Sequence, residues 1–340
     1  MKTILIHVKN NEQMEKFREY EKVGYNDEEH YSREIKFMIS EFKSNGWNVL
    51  LASLDNFNFE TNTWDKVYSF ADDEYKKVDI DYANENIDVI IVRVLGSVEG
   101  NFKNIKMYLE FLLKNYKGLA LNNPKAMIKG MTKHYLCEID PVKLGELGIK
   151  TINSRIFDRT VSLEELTKDY DNLENYIMKP VSGELSNSLS NLSKVDEEFL
   201  RNKEDKVLGW VVQPIMKEIY NGEYQMSFLN GEVIFAQRKE YTSKNNGIPN
   251  QKERILHKYN PSEKEISIMR SVIEYFKEKY DIEINICRTD FMKDDEGTPI
   301  LLEFEMVNPG FFIGYMEEND KDIANITSKI RMYCEENIEK

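Results

Sequence analysis

Cysteine and histidine are scarce in this chain of 340 residues, which has 3 cysteines and 4 histidines. Cys137, Cys287 and Cys334 are odd in number and far apart, so they match neither a disulfide framework nor a zinc-ligand spacing. The histidines do not cluster, and no Gly-x-Ser-x-Gly sequence is present. These absences argue against a Ser or Cys nucleophile activated by histidine, and they favour a reducing compartment.

Basic charge and long apolar runs are also in short supply. Lys plus Arg number 46 against 60 Asp plus Glu, which gives a formal net charge of -14. A general nucleic-acid surface needs clustered basic side chains to displace counterions. The N-terminal apolar run, KTILIHV, is too short for a secretory signal, and no segment reaches the apolar length of a membrane span. We therefore expect a soluble cytoplasmic protein with neither a nucleic-acid partner nor a membrane partner.

Buried strands and amphipathic helices alternate in the first third of the chain. The strand patterns cover residues 2–8, 47–54, 87–95 and 119–122, and the helix patterns cover 28–46 and 102–118. Continuous apolar strands separated by helices are typical of a mostly parallel α/β sheet. The sequence therefore predicts an N-terminal α/β domain over residues 1–121.

The remaining two thirds read as α+β, with two more domains at 122–205 and 206–340. The middle domain opens on Asn122-Asn123-Pro124, a helix start signal, and contains a strand ending in Lys179-Pro180, followed by the small-residue loop SGELSNSLSNLS. The last domain has strand patterns at 209–215, 223–231 and 232–241, a helix at 261–280, a second strand pair at 284–307 and a helix at 320–339. Asn230-Gly231 predicts a tight hairpin turn, so we expect a largely antiparallel sheet.

The strand pair at 284–307 carries acids on one face. Folding it about the turn KDDEGTP places Asp290 opposite Glu303 and Arg288 opposite Glu305, while Leu302, Phe304 and Met306 should line the other side. Neighbouring carboxylates repel each other, and hard cations such as Mg²⁺ take carboxylate oxygens as ligands. The hairpin alone leaves two interpretations open, a metal site and the solvated face of an ordinary sheet.

Further segments precede the hairpin in a fixed order. Lys133 follows the Asn-Asn-Pro sequence in a helical segment, Lys179 ends a strand, the small-residue loop comes next, and QPIMKEIYNGEY joins two strands. A nucleoside triphosphate needs cations at its phosphates, an edge for adenine, an acceptor for the ribose hydroxyls and carboxylates for Mg²⁺. The ordered set therefore favours the metal interpretation of the hairpin.

With these segments the chain resembles the ATP-grasp ligases over nearly its whole length, most closely the glutathione synthetase and ribosomal-protein glutamyl ligase branch. DVIIVRV, YIMKPVSG, QPIMKEIYNGEY and RTDFM to LLEFE carry the resemblance. It implies an ATP-grasp fold with an N-terminal parallel α/β (pre-ATP-grasp) domain that binds substrate, a small central domain and a C-terminal antiparallel-sheet domain. EFEMVNPGFF is also similar to biosynthetic ATP-grasp ligases of the cycloserine type.

The resemblance implies a role for each matching residue. ATP would be bound by Lys133, Lys179, Ser182, Gly183, Gln213, Met216 and Glu223, with Glu223 accepting the ribose hydroxyls. Two Mg²⁺ ions would be held by Asp290, Glu303 and Glu305. Arg288 and Arg238 would neutralise the transferring phosphoryl group, and Arg93 is a candidate for binding a substrate carboxylate; surface ion pairs are the alternative for both Arg288 and Arg238.

Three positions depart from the family pattern. The lid loop has Gly183 as its only glycine, with Ser182, Ser186 and Ser188 around it. Glu303-x-Glu305 stands where glutathione synthetases have Glu-x-Asn, with Asn308-Pro309 just beyond. Position 225 is Gln rather than a basic residue, which removes one cation from the expected phosphate shell.

The implied activity is ATP-dependent joining of a small-molecule carboxylate to an amine through an acyl phosphate, with release of ADP and phosphate. A homodimer is a further expectation from the resemblance. Two alternatives stay open: a macrocyclase of the same fold acting on a ribosomal precursor peptide, and a non-catalytic ATP-binding module. The sequence names neither the acyl donor nor the amine acceptor.

Overall fold

The computed structural model describes residues 1–23, 30–98, 100–182, 189–245, 248–250, 253–307, 309–310 and 320–338. Gly183, Ser186, Ser188 and Asn308 lie outside the described residues. Among the described helices, none combines the length and the apolar character that crossing a membrane requires.

The N-terminal unit is built on one sheet with four parallel strands at its centre. Its strands are β1 (Thr3–Val8), β2 (Asn48–Ser53), β3 (Phe57–Asn58), β4 (Thr63–Ser69), β5 (Glu74–Asp79), β6 (Val89–Ile91) and β7 (Leu119–Leu121). Its helices are α1 (Asn11–Arg18), α2 (His30–Ser44), α3 (Ile80–Asn86) and α4 (Phe102–Asn115). The strand order is β3-β4-β2-β1-β6-β7, and β5 pairs with β4. Side chains of β1 pack alternately into two apolar clusters, one on each face of the sheet.

The structure adds an antiparallel part to this sheet that the sequence analysis did not predict. β4 pairs antiparallel with β2, β3 and β5, and its buried Trp64 and Val67 pack against β5 and α4. Charged residues stand between these apolar positions. They obscure the alternation of apolar and polar residues by which a strand is recognised in a sequence. β6 is also shorter than predicted, with three residues, so Arg93 lies beyond the end of the strand.

The next segment leads into a small four-stranded sheet. It contains α5 (Pro124–Gly130), α6 (Tyr135–Glu138), α7 (Pro141–Glu146) and β8 (Lys150–Thr151). The small sheet has β9 (Arg155–Asp158), β10 (Tyr176–Pro180), β11 (Ser190–Asn191) and β12 (Gly209–Pro214) in the order β11-β10-β12-β9, with α8 (Leu163–Thr167) and α9 (Glu197–Lys203). One face carries its own apolar cluster, which includes Phe157, Met178 and Trp210.

The C-terminal sheet is antiparallel except at one edge. It contains β13 (Glu223–Leu229), β14 (Glu232–Tyr241), β17 (Arg254–Lys258), β18 (Ile286–Lys293) and β19 (Pro299–Glu305); β15 (Lys244–Asn245) and β16 (Ile248–Pro249) form a separate ribbon. The strand order is β17-β14-β13-β18-β19-β8, and β8 joins β19 in parallel. Asn230 and Gly231 both have positive φ, 48° and 77°, as a type I′ turn requires, which confirms the predicted hairpin.

Helix α10 (Glu263–Tyr280) covers one face of this sheet, and the last helix, α11 (Asp320–Asn337), reaches back to the N-terminal unit. Ile323, Ile326 and Ile330 of α11 pack in one cluster with Ile35 and Met38 of α2. The Arg331 side chain donates to Glu41 Oε1 at 2.9 Å. The N-terminal and C-terminal units therefore share a core, whereas the small sheet has a separate one.

Two segments pack with a different unit from the one that the expected domain limits at 121/122 and 205/206 assign them to. β12 begins after residue 206 but hydrogen-bonds to β10 and β9 of the small sheet, because Gly209–Pro214 completes the surface on which Trp210 is buried. Residues 124–149 precede the small sheet but pack on the C-terminal sheet through Ala126, Tyr135 and Leu144. The small sheet is thus best delimited by β9 and β12.

Asn122 secures the junction between the first two units. Its side-chain amide donates to the carbonyls of Ile286 and Met306 at 2.7 and 2.6 Å, and its oxygen accepts from the Ile286 backbone N–H at 3.3 Å. Asn122 is 3% exposed, so these bonds satisfy a polar side chain inside the fold. They hold the chain junction against the open end of the β18–β19 hairpin, opposite its turn.

Candidate active site

One face of the C-terminal sheet carries a polar row that crosses four strands. The cross-strand pairs Gln237–Gln225, Gln225–Asp290 and Asp290–Glu303 define it. The neighbouring row on the same face contains Ser227, Arg288 and Glu305, again in direct register. The predicted pairings of Asp290 with Glu303 and of Arg288 with Glu305 are confirmed. The alternation of side chains thus gathers the acids of the hairpin on one surface.

A register shift next to Asp290 corrects one part of the hairpin prediction. The pairing changes after Asp290–Glu303 to Phe291–Leu301, so Leu302 is the extra residue of a β-bulge. Phe304 and Met306 pack in the core under α10, as expected. Leu302 instead packs, as do Met216 and Ile219, against a separate apolar cluster of Ile152, Met292 and Ile300. The bulge thereby places an apolar surface beside the acids.

Lys133 and Glu303 form an ion pair within the site. Lys133 lies in the turn between α5 and α6 rather than within a helix, and its backbone N–H donates to Val181 O at 2.8 Å, just after β10. Its ammonium nitrogen is 3.0 Å from Glu303 Oε1. Burial raises the pKa of Glu303, but the charges of Lys133 and Lys179 outweigh it and bring that pKa down to about 2. Glu303 is therefore a stable anion at neutral pH.

Lys179 ends β10 and faces this ion pair. Burial lowers the pKa of Lys179 to about 8, an effect that Glu303 opposes and Lys133 reinforces. The Lys179 side chain makes no hydrogen bond or ion pair with the residues that the structure describes. Its ammonium group is therefore held near the acids without being tied to one of them, which suits the binding of an anion.

Arg288 and Asp290 are joined by a bidentate pair. Arg288 Nε lies 2.6 Å from Asp290 Oδ1, Nη2 lies 2.8 Å from Oδ2, and Nη1 donates to Gly310 O at 2.7 Å. Both side chains are buried, at 7% and 4% exposure. Burial raises the pKa of Asp290, and the Arg288 guanidinium counteracts this effect. The pair fixes the Asp290 carboxylate in orientation.

Glu305 lies beside Glu303 on the same strand face. Burial and the neighbouring Glu303 carboxylate raise the pKa of Glu305, and its Oε1 accepts the Val307 backbone N–H at 2.7 Å. Across the ranges that the structure describes, no group of three acids, histidines or cysteines has converged to hold a metal ion. Arg288 and Lys133 instead neutralise Asp290 and Glu303 in this arrangement.

Glu223 is the centre of a buried network that includes a lysine the sequence analysis missed. Lys239 Nζ donates to Glu223 Oε1 at 2.7 Å, and the Tyr241 hydroxyl donates to Oε2. Lys239 is 6% exposed. Gln237, Lys239 and Tyr241 alternate along β14 and share a face, which was the signal available in the sequence. Position 225 is Gln rather than a basic residue, and Lys239 on the neighbouring strand β14 supplies a positive charge to this network.

Arg238 does not join the acids. It pairs across the strands with Tyr224, whose ring stacks on Phe291, and this row belongs to the opposite face of the sheet. Its guanidinium donates to Asn221 O at 3.0 Å and lies 3.7 Å from Glu240. The expectation that Arg238 acts with Arg288 is therefore corrected, because adjacent residues on a strand point to opposite faces.

Gly222 explains part of the Asn-Gly-Glu sequence that precedes β13. Its φ is 123°, and a Cβ atom there would lie 2.4 Å from Arg238 Nε. The positive φ favours glycine, and the absence of a Cβ atom leaves room for the Arg238 side chain. This glycine lets the chain turn directly into Glu223.

The remaining nucleotide-site candidates lie around the small sheet. β10 and β12 pair Ile177 with Gln213 and Lys179 with Val211, so Gln213 and Lys179 share a face. Gln213 Nε2 donates to Ser154 Oγ at 2.7 Å. Met216 follows β12 and packs against the same apolar cluster as Leu302. Ser182 is buried just after the end of β10. The structure thus brings Lys179, Gln213 and Met216 to one side of the acids.

Arg93 is part of a buried ion pair in the N-terminal unit. It contacts Glu34 of α2, and the two side chains are 4% and 3% exposed. A substrate carboxylate would have to compete with Glu34 for this guanidinium. The structure therefore gives Arg93 a structural partner and leaves its role toward substrate a prediction.

Neither a protein-family model nor a curated protein matches the sequence. Solved structures do match its fold over nearly the full length. D-cycloserine synthetase DcsG aligns with a TM-score of 0.66 at 12% identity, covering 97% of this chain and 99% of that chain. The macrocyclase MdnC from Microcystis aeruginosa MRC, solved with its precursor peptide MdnA, aligns with a TM-score of 0.60 at 11% identity, covering 97% and 99%.

A third structure shows the same fold with nucleotide present. D-alanine–D-alanine ligase from Bacillus anthracis, complexed with ATP, aligns with a TM-score of 0.60 at 14% identity, covering 100% of this chain and 99% of that chain. At these identities the likeness concerns the fold and leaves the substrate open. This chain has the fold of the ATP-grasp ligases.

Proposed function

We propose that the protein is an ATP-dependent carboxylate–amine ligase that forms an amide bond through an acyl phosphate and releases ADP and phosphate. The observation that carries this proposal is the convergence of Lys133, Lys179, Glu303 and the Arg288–Asp290 pair on one surface, between two sheets with the ATP-grasp topology. The similar solved structures support the reading, since they include ligases and one of them contains ATP.

The nucleoside would occupy the apolar end of the surface. Met216, Ile219 and Leu302 offer an apolar contact for adenine, and Gln213 shares a face of the small sheet with Lys179. Glu223 begins β13, so along the chain it stands between Ile219 and the Gln225–Asp290 pair, and its carboxylate can accept hydrogen bonds from the ribose hydroxyls. The order apolar cluster, Glu223, acid row matches the order adenine, ribose, phosphates along a nucleotide.

Lys133 and Lys179 would bind the phosphates, and the residues present fit Mg²⁺. Asp290, Glu303 and Glu305 offer only oxygen donors, and the raised pKa of Glu305 beside Glu303 indicates a site that a cation would relieve. Bound Mg²⁺ would neutralise charge on the phosphoryl group that is transferred. Binding would require Lys133 to exchange its carboxylate partner for a phosphate, which carries at least as much negative charge.

Charge balance supports two divalent ions rather than one. Four cations of the site, Lys133, Lys179, Lys239 and Arg288, stand against four carboxylates, Glu223, Asp290, Glu303 and Glu305. ATP adds about four negative charges, which two Mg²⁺ ions would balance. This count, with four cations to four carboxylates, also explains why Glu305 is tolerated next to Glu303.

The chemistry needs positioning and charge stabilisation rather than a covalent protein nucleophile. The substrate carboxylate oxygen attacks the γ-phosphorus, the bond to the ADP oxygen breaks, and an acyl phosphate results. An amine nitrogen then attacks the acyl carbon, the bond from that carbon to the phosphate oxygen breaks, and the proton lost by the amine leaves with the phosphate. Arg288 borders the acid row and can stabilise the developing charge in either step, while Lys133 and Lys179 hold the phosphates.

A second candidate is a macrocyclase that joins side chains of a ribosomal precursor peptide. It is favoured by the similarity to MdnC, which was solved with a precursor peptide, and by the shared ligase fold. The chemistry of carboxylate activation would be the same, and only the substrate would differ. A binding module without catalysis is the third reading, and it predicts nucleotide affinity without ADP release. Kinship with the glutathione synthetase branch, cytoplasmic location and a homodimer remain part of the proposal.

The test is a coupled assay of ADP release with Mg²⁺ and ATP against a panel of amino acids, dipeptides and hydroxy acids. We expect ADP formation that requires both a carboxylate and an amine. ADP formation only with a peptide substrate would favour the macrocyclase. ATP binding with no ADP release in the presence of any substrate would contradict the ligase proposal.

A further inference from the structure

Gln225 bridges two buried carboxylates that belong to different parts of the proposed site. Its amide nitrogen donates to Asp290 Oδ2 at 2.7 Å and to Glu223 Oε1 at 3.0 Å. Gln225 is 1% exposed, and the two acids are 4% and 7% exposed. One amide group therefore fixes the distance between the proposed ribose acceptor and a proposed metal ligand.

The orientation of this amide is dictated by its partners. Ionised carboxylates only accept hydrogen bonds, so the nitrogen of Gln225 has to face Glu223 and Asp290. Its oxygen then accepts from Gln237 Nε2 at 2.7 Å, on the next strand. Gln237 Oε1, also buried, has no hydrogen-bond partner among the described residues, so the directed chain of donors ends there.

The neutral charge of Gln225 matters as much as its hydrogen bonds. Asp290 already has Arg288 as a bidentate partner, and Glu223 already has Lys239. A second cation between the two acids would compete with a metal ion for Asp290, whereas an amide orients both carboxylates and leaves their charge intact. The glutamine at this position is thus suited to hold Asp290 ready for a cation.

We propose that Gln225, oriented by Gln237, is a positioning residue that links nucleoside binding at Glu223 to metal binding at Asp290. The inference rests on the proposed ATP site and deepens it. Nucleoside contact at Glu223 and metal contact at Asp290 then stabilise each other through one shared donor. Substitution at position 225 weakens both kinds of binding without touching either ligand.

The test measures binding rather than turnover. Isothermal titration calorimetry with adenosine measures nucleoside binding at Glu223. The same titration with ADP, with and without Mg²⁺, measures metal-dependent binding at Asp290. In Gln225→Met, which keeps the length of the side chain but has no donor, we expect the Kd of ADP with Mg²⁺ to rise about tenfold or more. We also expect the factor by which Mg²⁺ strengthens ADP binding to fall.

Matched variants separate positioning from simple structural support. Gln237→Met removes only the second amide. In this variant the Kd of ADP with Mg²⁺ should rise by less than about threefold. Gln225→Asn retains an amide that is one methylene too short for both acids, and it should weaken binding in the same direction as Gln225→Met while keeping the fold. Thermal unfolding of each variant checks that the protein is folded at the temperature of titration.

The outcomes are distinct. A folded Gln225→Met or Gln225→Asn variant that binds adenosine and ADP with Mg²⁺ as the wild type does would overturn the inference, even if its Tm fell. Wild-type protein that binds neither ligand would instead overturn the proposed function itself.

Discussion

Lys133 and Glu303 meet at 3.0 Å although they come from the turn after α5 and from the last strand of the C-terminal sheet. Lys179, at the end of β10, adds a second positive charge that stabilises the Glu303 anion. Three segments that are remote in sequence therefore form one electrostatic unit. In the proposed function this unit is the place where the phosphates and the metal are bound.

Replacing Glu303 by Gln should reduce ADP formation by about 10²- to 10³-fold, because the variant loses a proposed metal ligand and the carboxylate that pairs with Lys133. The measurement is the coupled ADP assay. Glu296→Gln is the matched control, since Glu296 is an exposed residue in the turn of the same hairpin. Normal turnover in folded Glu303→Gln would disprove the assignment of Glu303 to the site.

Lys179→Ala should abolish turnover and raise the Kd of ATP with Mg²⁺ by about 10- to 100-fold, the effect of losing a hydrogen bond between charged groups. Equilibrium titration with ATP measures the affinity. Lys194→Ala removes an exposed lysine that follows β11 of the small sheet. This control variant should bind ATP like the wild type. Equal affinity in the two variants would show that Lys179 does not contact the nucleotide.

Arg288 and Arg238 should behave differently despite their similar places in the sequence pattern. Arg288→Lys keeps a charge but loses the bidentate contact with Asp290, so kcat should fall about 10²-fold. Arg238→Lys should change kcat by less than about threefold, because Arg238 lies on the other face, against Asn221 and Glu240. A larger loss of kcat in the Arg238 variant would contradict this placement.

His7 should make the protein less stable in acid. Burial lowers its pKa to about 3, from an ordinary value of 6.5. Between these pH values the unfolded chain binds a proton that the folded protein does not, so the free energy of unfolding falls as the pH decreases, by at most about 1.4 kcal/mol per pH unit from this group. His7→Phe should reduce this slope in urea unfolding between pH 4 and 6.

The matched control is His134→Phe, which replaces an exposed histidine instead of a buried one. An unchanged slope in His7→Phe would mean that His7 is protonated in the folded protein or does not titrate within this range.

Features that depend on local pattern were predictable from the sequence. The parallel strands, the Asn230-Gly231 turn and the register of Asp290 against Glu303 follow from apolar runs, turn chemistry and alternation, and the structure confirms them. The ordered motifs also predicted the fold.

Features that depend on tertiary packing were not predictable. Asn122 bonds to residues 164 and 184 positions away, which no local pattern reveals. The bulge at Leu302 turns this side chain away from the core under α10 and toward the apolar cluster of Met292 and Ile300. In residues 236–241, AQRKEY, both faces of the strand carry polar side chains. Apolar periodicity could therefore not decide whether Arg238 or Lys239 faces the site.

The most direct test of the central claim is the transfer of oxygen from the substrate carboxylate to phosphate. With a carboxylate substrate labelled with ¹⁸O, ³¹P NMR of the inorganic phosphate produced should show one ¹⁸O per phosphate, together with ADP, because an acyl phosphate breaks at its acyl carbon when the amine attacks. Unlabelled phosphate, or the formation of AMP and pyrophosphate, would contradict the account.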